Sequence, residues 1–268
     1  MKQEYTLKEV LVSAKNVSLQ YEGRQILRDI NFEVKDVVRP NVEQGQVVAL
    51  VGRSGLGKTQ LFKIIAGLKK PTTGEILISA DQHPVTPGEV GIIPQNYILF
   101  DHLSVYKNLE RGLKHCGKKC EGKESLELIK KHAEVFGLVE HLQKYPAQLS
   151  GGQKQRVSII QQILTDNKFI LLDEPFSGLD TLMKDKVIEL LLKVSTLNEL
   201  NTLILVSHDL ESAMAIADTV WLLAKEPDKE GATIKEKFCL MEMGMAWDPG
   251  IRERTDFQQF VKEVTHKL

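Results

Sequence analysis

The sequence predicts an α/β fold. A mixed-sheet core is built around one glycine loop, with an antiparallel β subdomain before it and an α-helical subdomain inserted after it. Three observations predict this. First, the apolar run Val47–Val51 reads as a buried strand, the loop Gly52-Arg53-Ser54-Gly55-Leu56-Gly57-Lys58-Thr59 follows at once, and Leu61, Ile64, Ile65 and Leu68 then recur at helix spacing, with Gly67 as a helix stop. Second, the apolar runs Phe169–Leu172 and Leu203–Val206 each end in chemically useful polar residues, as buried strands of an open α/β sheet do. Third, between Asn96 and Gln148 the character changes to short helices, with Leu126, Ile129, Ala133 and Phe136 on one amphipathic face.

Strand, glycine loop and helix form the context that a phosphate-binding P-loop requires. Gly52, Gly55 and Gly57 let the backbone turn tightly so that its N–H groups point inward at a polyphosphate. The positive end of the helix dipole faces the same anion. Lys58 adds a full charge near the outer phosphates, and the Thr59 hydroxyl can ligate Mg²⁺.

Composition bounds the function classes. The chain has 268 residues, 42% hydrophobic and 26% charged, which suits a globular core with a subdomain. A formal net charge of -1 gives no bulk attraction for nucleic acid. The odd set Cys116, Cys120 and Cys239 does not suggest a disulfide framework, and because no second ligand pair accompanies Cys116 and Cys120 as a metal or redox pair, free thiols are expected. Met1–Val10 is polar and shows no signal-peptide pattern, and no apolar run approaches the roughly 20 residues needed to span a bilayer. A cytoplasmic chain is expected, reaching a membrane through a partner.

In chain order, residues 1–10 read as a loose terminus, and Leu11 to Val34 as short antiparallel strands turning at Glu22-Gly23-Arg24. Tyr21 is either a packed strand tyrosine or a ring placed to stack on a purine. Asp36 to Gln44 is a polar excursion. Strands follow at Glu75–Ser79 and at Val90–Ile93, the latter ending in Pro94-Gln95, and Lys118 to Lys123 is a charged loop. Leu149-Ser150-Gly151-Gly152-Gln153 opens a helix with Val157, Ile160 and Ile163 or Leu164 on one face. Ser150 and Gln153 fit a capping box, which is a complete structural reason for both. The glycines need another reason, since glycine costs about 1 kcal/mol inside a helix; close approach of the helix end to an anion supplies one.

Asp173-Glu174 closes a buried strand. Asp173 can hold Mg²⁺, directly or through water, and Glu174 can orient and deprotonate a water. Ser177-Gly178-Leu179-Asp180 is a turn before a helix. His208 ends the next strand and is either structural or reaches the same phosphate. After a strand at Thr219–Ala224, a hairpin leads to Ala232–Lys237. A last helix is predicted with Thr255 as N-cap, Gln258 at N3, and Phe257, Phe260, Val261, Val264 and Leu268 on one face for the core or a partner.

These residues resemble one family, the ATP-binding cassette (ABC) ATPases, over roughly Val10 to Ala224. Gly52 to Thr59 resembles the Walker A loop, Gln95 the Q-loop glutamine, Leu149–Gln153 the LSGGQ signature, and Phe169–Glu174 Walker B with its catalytic glutamate. Ser177–Asp180 resembles the D-loop and His208 the switch histidine. Tyr21 resembles the A-loop aromatic that stacks on adenine. The resemblance implies a single domain, 1–268. Its core and β subdomain take 10–94 and 165–224, its helical subdomain 95–164, and a C-terminal hairpin and helix 225–268. It implies ATP and Mg²⁺ as cofactors. Glu174, His208, Lys58 and Gln95 are implied as catalytic, and Thr59, Gln95 and Asp173 as metal ligands. Tyr21, Gly52 to Gln60, Ser150 to Gln153 and Asp180 are implied as nucleotide-binding. Two copies, or this chain with a paralogous ATPase, would sandwich ATP head to tail beneath integral membrane permease subunits, on the inner face of the membrane, with a solute-binding protein in the full system. Within the family the chain looks most like ATPases of nitrate, sulfonate or taurine importers. Two departures stand out: the excursion at Asp36–Gln44, and Gln161 where an arginine is common. A soluble ABC factor acting on DNA or ribosomes would carry a coiled-coil insertion or a second cassette. A non-hydrolysing scaffold would not need Lys58, Glu174 and His208 together. A GTPase would need an Asn-Lys-x-Asp motif, which does not occur.

Overall fold

The computed structural model describes residues 4–40, 45–115, 122–165, 167–196, 202–248 and 250–268. The chain runs β1 (Thr6–Tyr21), β2 (Arg24–Val38), β3 (Gln46–Val51), α1 (Lys58–Ile65), β4 (Thr73–Ile78), β5 (His83–Pro84), β6 (Gly91–Ile93), α2 (Val105–His115), α3 (Lys123–Val135), α4 (Gly151–Leu164), β7 (Phe169–Asp173), α5 (Thr181–Ser195), β8 (Thr202–Ser207), α6 (Leu210–Ile216), β9 (Thr219–Lys225), β10 (Ala232–Cys239) and α7 (Thr255–His266). The strands form one mixed sheet in the order β5-β4-β1-β2-β10-β9-β3-β8-β7-β6. Strands β9, β3, β8, β7 and β6 are parallel to one another, whereas β5, β4, β1 and β2 form an antiparallel ribbon. β10 joins the halves, antiparallel to β9 and meeting β2 through the pair Ala232 and Leu27.

Strand periodicity explains why Val47–Val51 of β3 and Leu203–Val206 of β8 are apolar without interruption. Alternate residues point to opposite faces, and both faces are covered. Val47, Ala49 and Val51 enter a core shared with α2 to α7, while Val48 and Leu50 enter a second core with α1 and the antiparallel ribbon. Leu203 and Leu205 of β8 divide from Ile204 and Val206 in the same way. A strand buried on both faces reads as a continuous hydrophobic run.

The structure departs from expectation where pairing, not pattern, makes the element. The terminus is not loose from Thr6 onward: Thr6 and Leu7 pair with Val38 and Val37. Thr6 to Glu9 are exposed, so no apolar alternation announces the strand. The excursion at Asp36 begins as strand, because β2 continues to Val38 and Asp36 is buried; residues 41–44 lie outside the described residues. Leu68 does not belong to the helical face. α1 ends at Ile65, Gly67 turns the chain at φ +71°, and Leu68 is 55% exposed. Lys123 starts α3 instead of ending a loop; residues 118–121 of that loop, with Cys120, lie outside the described residues, as does Cys116 before it. Cys239 is a free, half-buried thiol on β10.

The C-terminal helix forms with Phe257, Phe260 and Val264 buried against the helix-side core, so its apolar face is used for packing. Its cap differs from prediction. Arg254 holds the N-cap position, its guanidinium paired with Asp248 and Asp256, and Gln258 reaches the Arg252 carbonyl instead of closing a capping box. Among the described residues no helix is long and apolar enough to cross a membrane.

Candidate functional site: a glycine loop facing two carboxylates

Parallel register assembles the site. Val51 lies beside Ser207, Val206 beside Asp173, and Leu172 beside Ile93, so β3, β8, β7 and β6 end along one edge. The residues that follow them are Gly52, His208, Glu174 and Pro94-Gln95. An open α/β sheet places its ligand site outside the carboxyl ends of its strands.

The loop after β3 has two different demands for glycine. Gly57 sits at φ +92° as the N-cap of α1, a conformation costly for a side chain. Gly52 is needed for close approach: a Cβ there would lie 2.7 Å from the Leu223 carbonyl oxygen. Lys58, the first residue of α1, is buried and turns back into the loop. Its Nζ donates to the carbonyls of Gly52 at 2.7 Å and Arg53 at 3.1 Å. Burial lowers its pKa, opposed by the charges of Glu174 and Asp173. Arg53 and Ser54 are exposed at the loop's rim, with Leu56 half-buried.

Glu174 is the hub. Its backbone lies at φ +50°, and its N–H donates to the Val206 carbonyl at 2.8 Å, so the strand-end turn stores conformational strain. Its Oε2 accepts from the His208 ring Nδ1 at 2.7 Å, the His208 amide at 3.1 Å and the Ser207 hydroxyl at 3.3 Å. Its Oε1 is 3.7 Å from Lys58 Nζ. A carboxylate only accepts, so His208 Nδ1 carries the proton of that bond. His208 therefore contacts the base, not the loop, and its ring is half exposed.

Asp173 is half-buried, and its Oδ1 is shielded from solvent without a hydrogen-bond partner among the described residues. Burial raises its pKa, the Glu174 charge adds to that, and Lys58 opposes it. An orphaned buried carboxylate oxygen fits a hard cation. Thr59, whose hydroxyl is a second hard donor, lines the same cleft of about 660 Å³. Gln95 lies beyond β6, where its amide nitrogen donates to Ser177 Oγ at 3.2 Å, so its carbonyl oxygen is the atom it could offer a metal. Asp180 acts as the N-cap of α5, accepting from the Met183 amide at 2.9 Å.

Tyr21 ends β1 and is 58% exposed, so it is not a packed strand tyrosine. Lys69 Nζ stands 5.4 Å from its ring centroid and also donates to Gln60 Oε1 at 2.8 Å. Lys69 was not expected at the site, nor was Ser207, which bonds Glu174 and receives the Asp209 amide. Neither stands in a pattern that names a partner.

Ser150 to Gln153 are exposed to half-buried, and among the described residues no hydrogen bond or ion pair links them to this loop. The capping box is present: Ser150 N–H donates to Gln153 Oε1 at 2.8 Å and Gln153 N–H to Ser150 Oγ at 3.3 Å. A Cβ on Gly151 would meet nothing within 4 Å, and one on Gly152 would meet only the Met183 methyl, at 3.1 Å. Packing within the protomer therefore does not account for either glycine.

Comparison with known proteins agrees with this geometry. A family model described as ABC transporter matches residues 36–177, just over half of the chain. The nitrate import ATP-binding protein NrtD of Synechocystis sp. is 35% identical, with 86% of each chain covered. The spermidine/putrescine import ATP-binding protein PotA of Spiroplasma citri is 36% identical over 78% of this chain and 58% of its own. The sulfate/thiosulfate import protein CysA of Pseudomonas aeruginosa is 36% identical over 80% of this chain and 64% of its own. The chain thus spans less than two thirds of the length of several curated relatives. Among solved structures, cbiO1 from Clostridium perfringens, part of the ABC transporter complex cbiONQ, shares the fold with TM-score 0.73 at 24% identity, covering 88% of this chain and 91% of its own. The ATP-binding subunit of another ABC transporter superposes with TM-score 0.67 at 25% identity, over 95% of this chain and 99% of its own. By the matched model, by relatives such as NrtD and by the loop and carboxylates just described, this chain belongs to the ABC transporter family and carries its ATP-binding fold.

Proposed function

We propose that this chain binds and hydrolyses ATP to power a membrane transporter, as an ATPase subunit of a bacterial importer of a small solute such as nitrate, sulfonate or taurine. The observation that carries hydrolysis is Glu174: a carboxylate at a strand end, fixed by Ser207 and His208 on one oxygen and facing Lys58 with the other. Such a group can orient and deprotonate a water beside a phosphate held in the loop. Asp173 and Thr59 would hold Mg²⁺, with Gln95 near it. Mg²⁺ keeps most of its shell for water and phosphate oxygens, which agrees with so few protein donors. The metal supplies charge neutralisation on the phosphates, and the chain positions it. Tyr21 offers its exposed face to the adenine.

The unexplained glycines at 151 and 152 support a composite site, in which the N-terminal end of α4 closes over ATP held by another copy or a paralogous ATPase. At the outer end of the cleft that holds Thr59 and Asp173, the exposed apolar side chains of Leu68, Ile98 and Phe100 are where a permease segment would dock. The chain would then sit on the inner face of the membrane through that permease, with a solute-binding protein completing the system. Phosphate release from ATP by the full chain tests the reading. Release should require Mg²⁺ and stop with excess EDTA. If release never exceeds that of Lys58→Ala, the proposal fails.

A further inference from the structure

The signature turn has a second partner that capping does not require. In a capping box the N3 glutamine uses its side-chain oxygen, and its amide nitrogen is free to face water. Here Gln153 Oε1 accepts from the Ser150 amide at 2.8 Å, which fixes which end of the side chain is oxygen. Its Nε2 then must donate, and it lies 2.9 Å from His141 Nε2. A donor facing a ring nitrogen requires that nitrogen to be the lone-pair acceptor, so His141 is the neutral Nδ1–H tautomer. The opposite tautomer, or the imidazolium, would set two donors against each other. Nδ1 is shielded from solvent and has no partner among the described residues, so this tautomer leaves a buried N–H unpaired, a smaller cost than setting Nε2–H against the Gln153 amide.

The segment that carries the ring is tied to α4. His141 ends a single 3₁₀ turn, Val139–His141, between the buried Leu138 and Leu142. Arg156 of α4 donates to the Phe136 carbonyl at 2.9 Å, tying the same segment to the same helix.

We propose that His141 is a positioning residue for the signature turn. By accepting from Gln153 it locks the amide that caps Ser150, and so fixes the face that Ser150, Gly151 and Gly152 present to ATP on the opposing subunit. This rests on the composite-site reading above.

The test uses the full chain. Long-range ¹H–¹⁵N correlation spectra should show His141 protonated at Nδ1 and unprotonated at Nε2. His141→Leu removes the acceptor. His141→Gln restores one at the position of Nε2, whereas His141→Asn places its amide at the position of Nδ1. ATP turnover should fall about tenfold in the Leu and Asn variants, equivalent to ~1.4 kcal/mol, and return to within about twofold of wild type in the Gln variant. Nucleotide affinity should stay level in all three, because the loop that grips ATP lies elsewhere in the chain. A simple loss of folding would lower both. Gly151→Asp, which has open space in the protomer, reports on the composite site itself and should abolish turnover. Protonation at Nε2, or full turnover in His141→Leu while Gly151→Asp is inactive, overturns the proposal. Full turnover in Gly151→Asp removes the composite site and the role assigned to His141 with it.

Discussion

Replacing Glu174 by glutamine separates binding from chemistry. The substitution keeps shape and leaves one carbonyl oxygen for the donors from Ser207 and His208, so the strained turn after β7 has the same partners. What changes is the other end. Lys58 and Glu174 are both largely buried and 3.7 Å apart, a pair worth about 4 kcal/mol of attraction at an effective dielectric of 20. In the variant an amide N–H₂ faces the ammonium, and that attraction is gone. Lys58 is then released from its carboxylate, and a polyphosphate entering the loop meets one negative charge fewer. Nucleotide affinity should therefore hold or rise. Turnover should fall by about 10²–10⁴, the usual contribution of a positioned general base, or roughly 3–5 kcal/mol of barrier. Titration calorimetry with ATP gives the first quantity and phosphate release at saturating ATP gives the second. Gel filtration should also show an ATP-bound dimer accumulating. Turnover within about threefold of wild type would remove Glu174 from the base role. Lost nucleotide binding would make Glu174 a structural support of the loop instead.

Lys58→Ala removes a buried cation from the loop, and ATP affinity should drop by about 2–5 kcal/mol by calorimetry on folded protein. Cysteines placed at Ser54 and Ser150, in a Glu174→Gln chain with Cys116, Cys120 and Cys239 replaced, should link two chains through a short thiol cross-linker when ATP is present. No link despite ATP-driven dimers would return Ser150 to Gln153 to a capping role. Asp218 gives a pH prediction. Its Oδ2 accepts from the Val47 amide at 2.6 Å, and burial pushes its carboxyl from 3.8 up to about 7, with the Val47 bond and Arg39 opposing. The folded chain keeps a proton there that the unfolded chain has released, so this group's contribution to stability falls as pH rises through that window, by up to about 4 kcal/mol. Asp218→Asn should flatten the loss of urea stability between pH 5 and pH 8, and an unchanged slope would refute it.

Much of the site was legible because its chemistry is local. A P-loop needs its glycines, lysine and threonine within one turn, and a strand-end carboxylate pair stands in two adjacent residues, so Gly52 to Thr59 and Asp173-Glu174 could be read without a fold. The capping box at Ser150 and Gln153 was legible for the same reason, since its bonds span three residues. Buried runs such as Leu203–Val206 identified strands because both faces of the parallel half are covered.

The sequence by itself determined which residues carry charge, which turns need glycine and which faces are apolar. Tertiary structure alone decided who meets whom. His208 bonds Glu174 because β8 pairs with β7, although the two residues are far apart along the chain. Gly52 needs to be glycine because the Leu223 carbonyl of β9 crowds it, a demand that no rule about turns contains. Thr6 to Glu9 form strand because β2 runs on beside them, and Lys69 reaches Tyr21 and Gln60 from beyond the end of α1. The reason is common to all four. Propensity, capping and periodicity act over a few residues, whereas strand adjacency and close approach are set by pairing between distant segments, and that pairing leaves no mark in either segment alone.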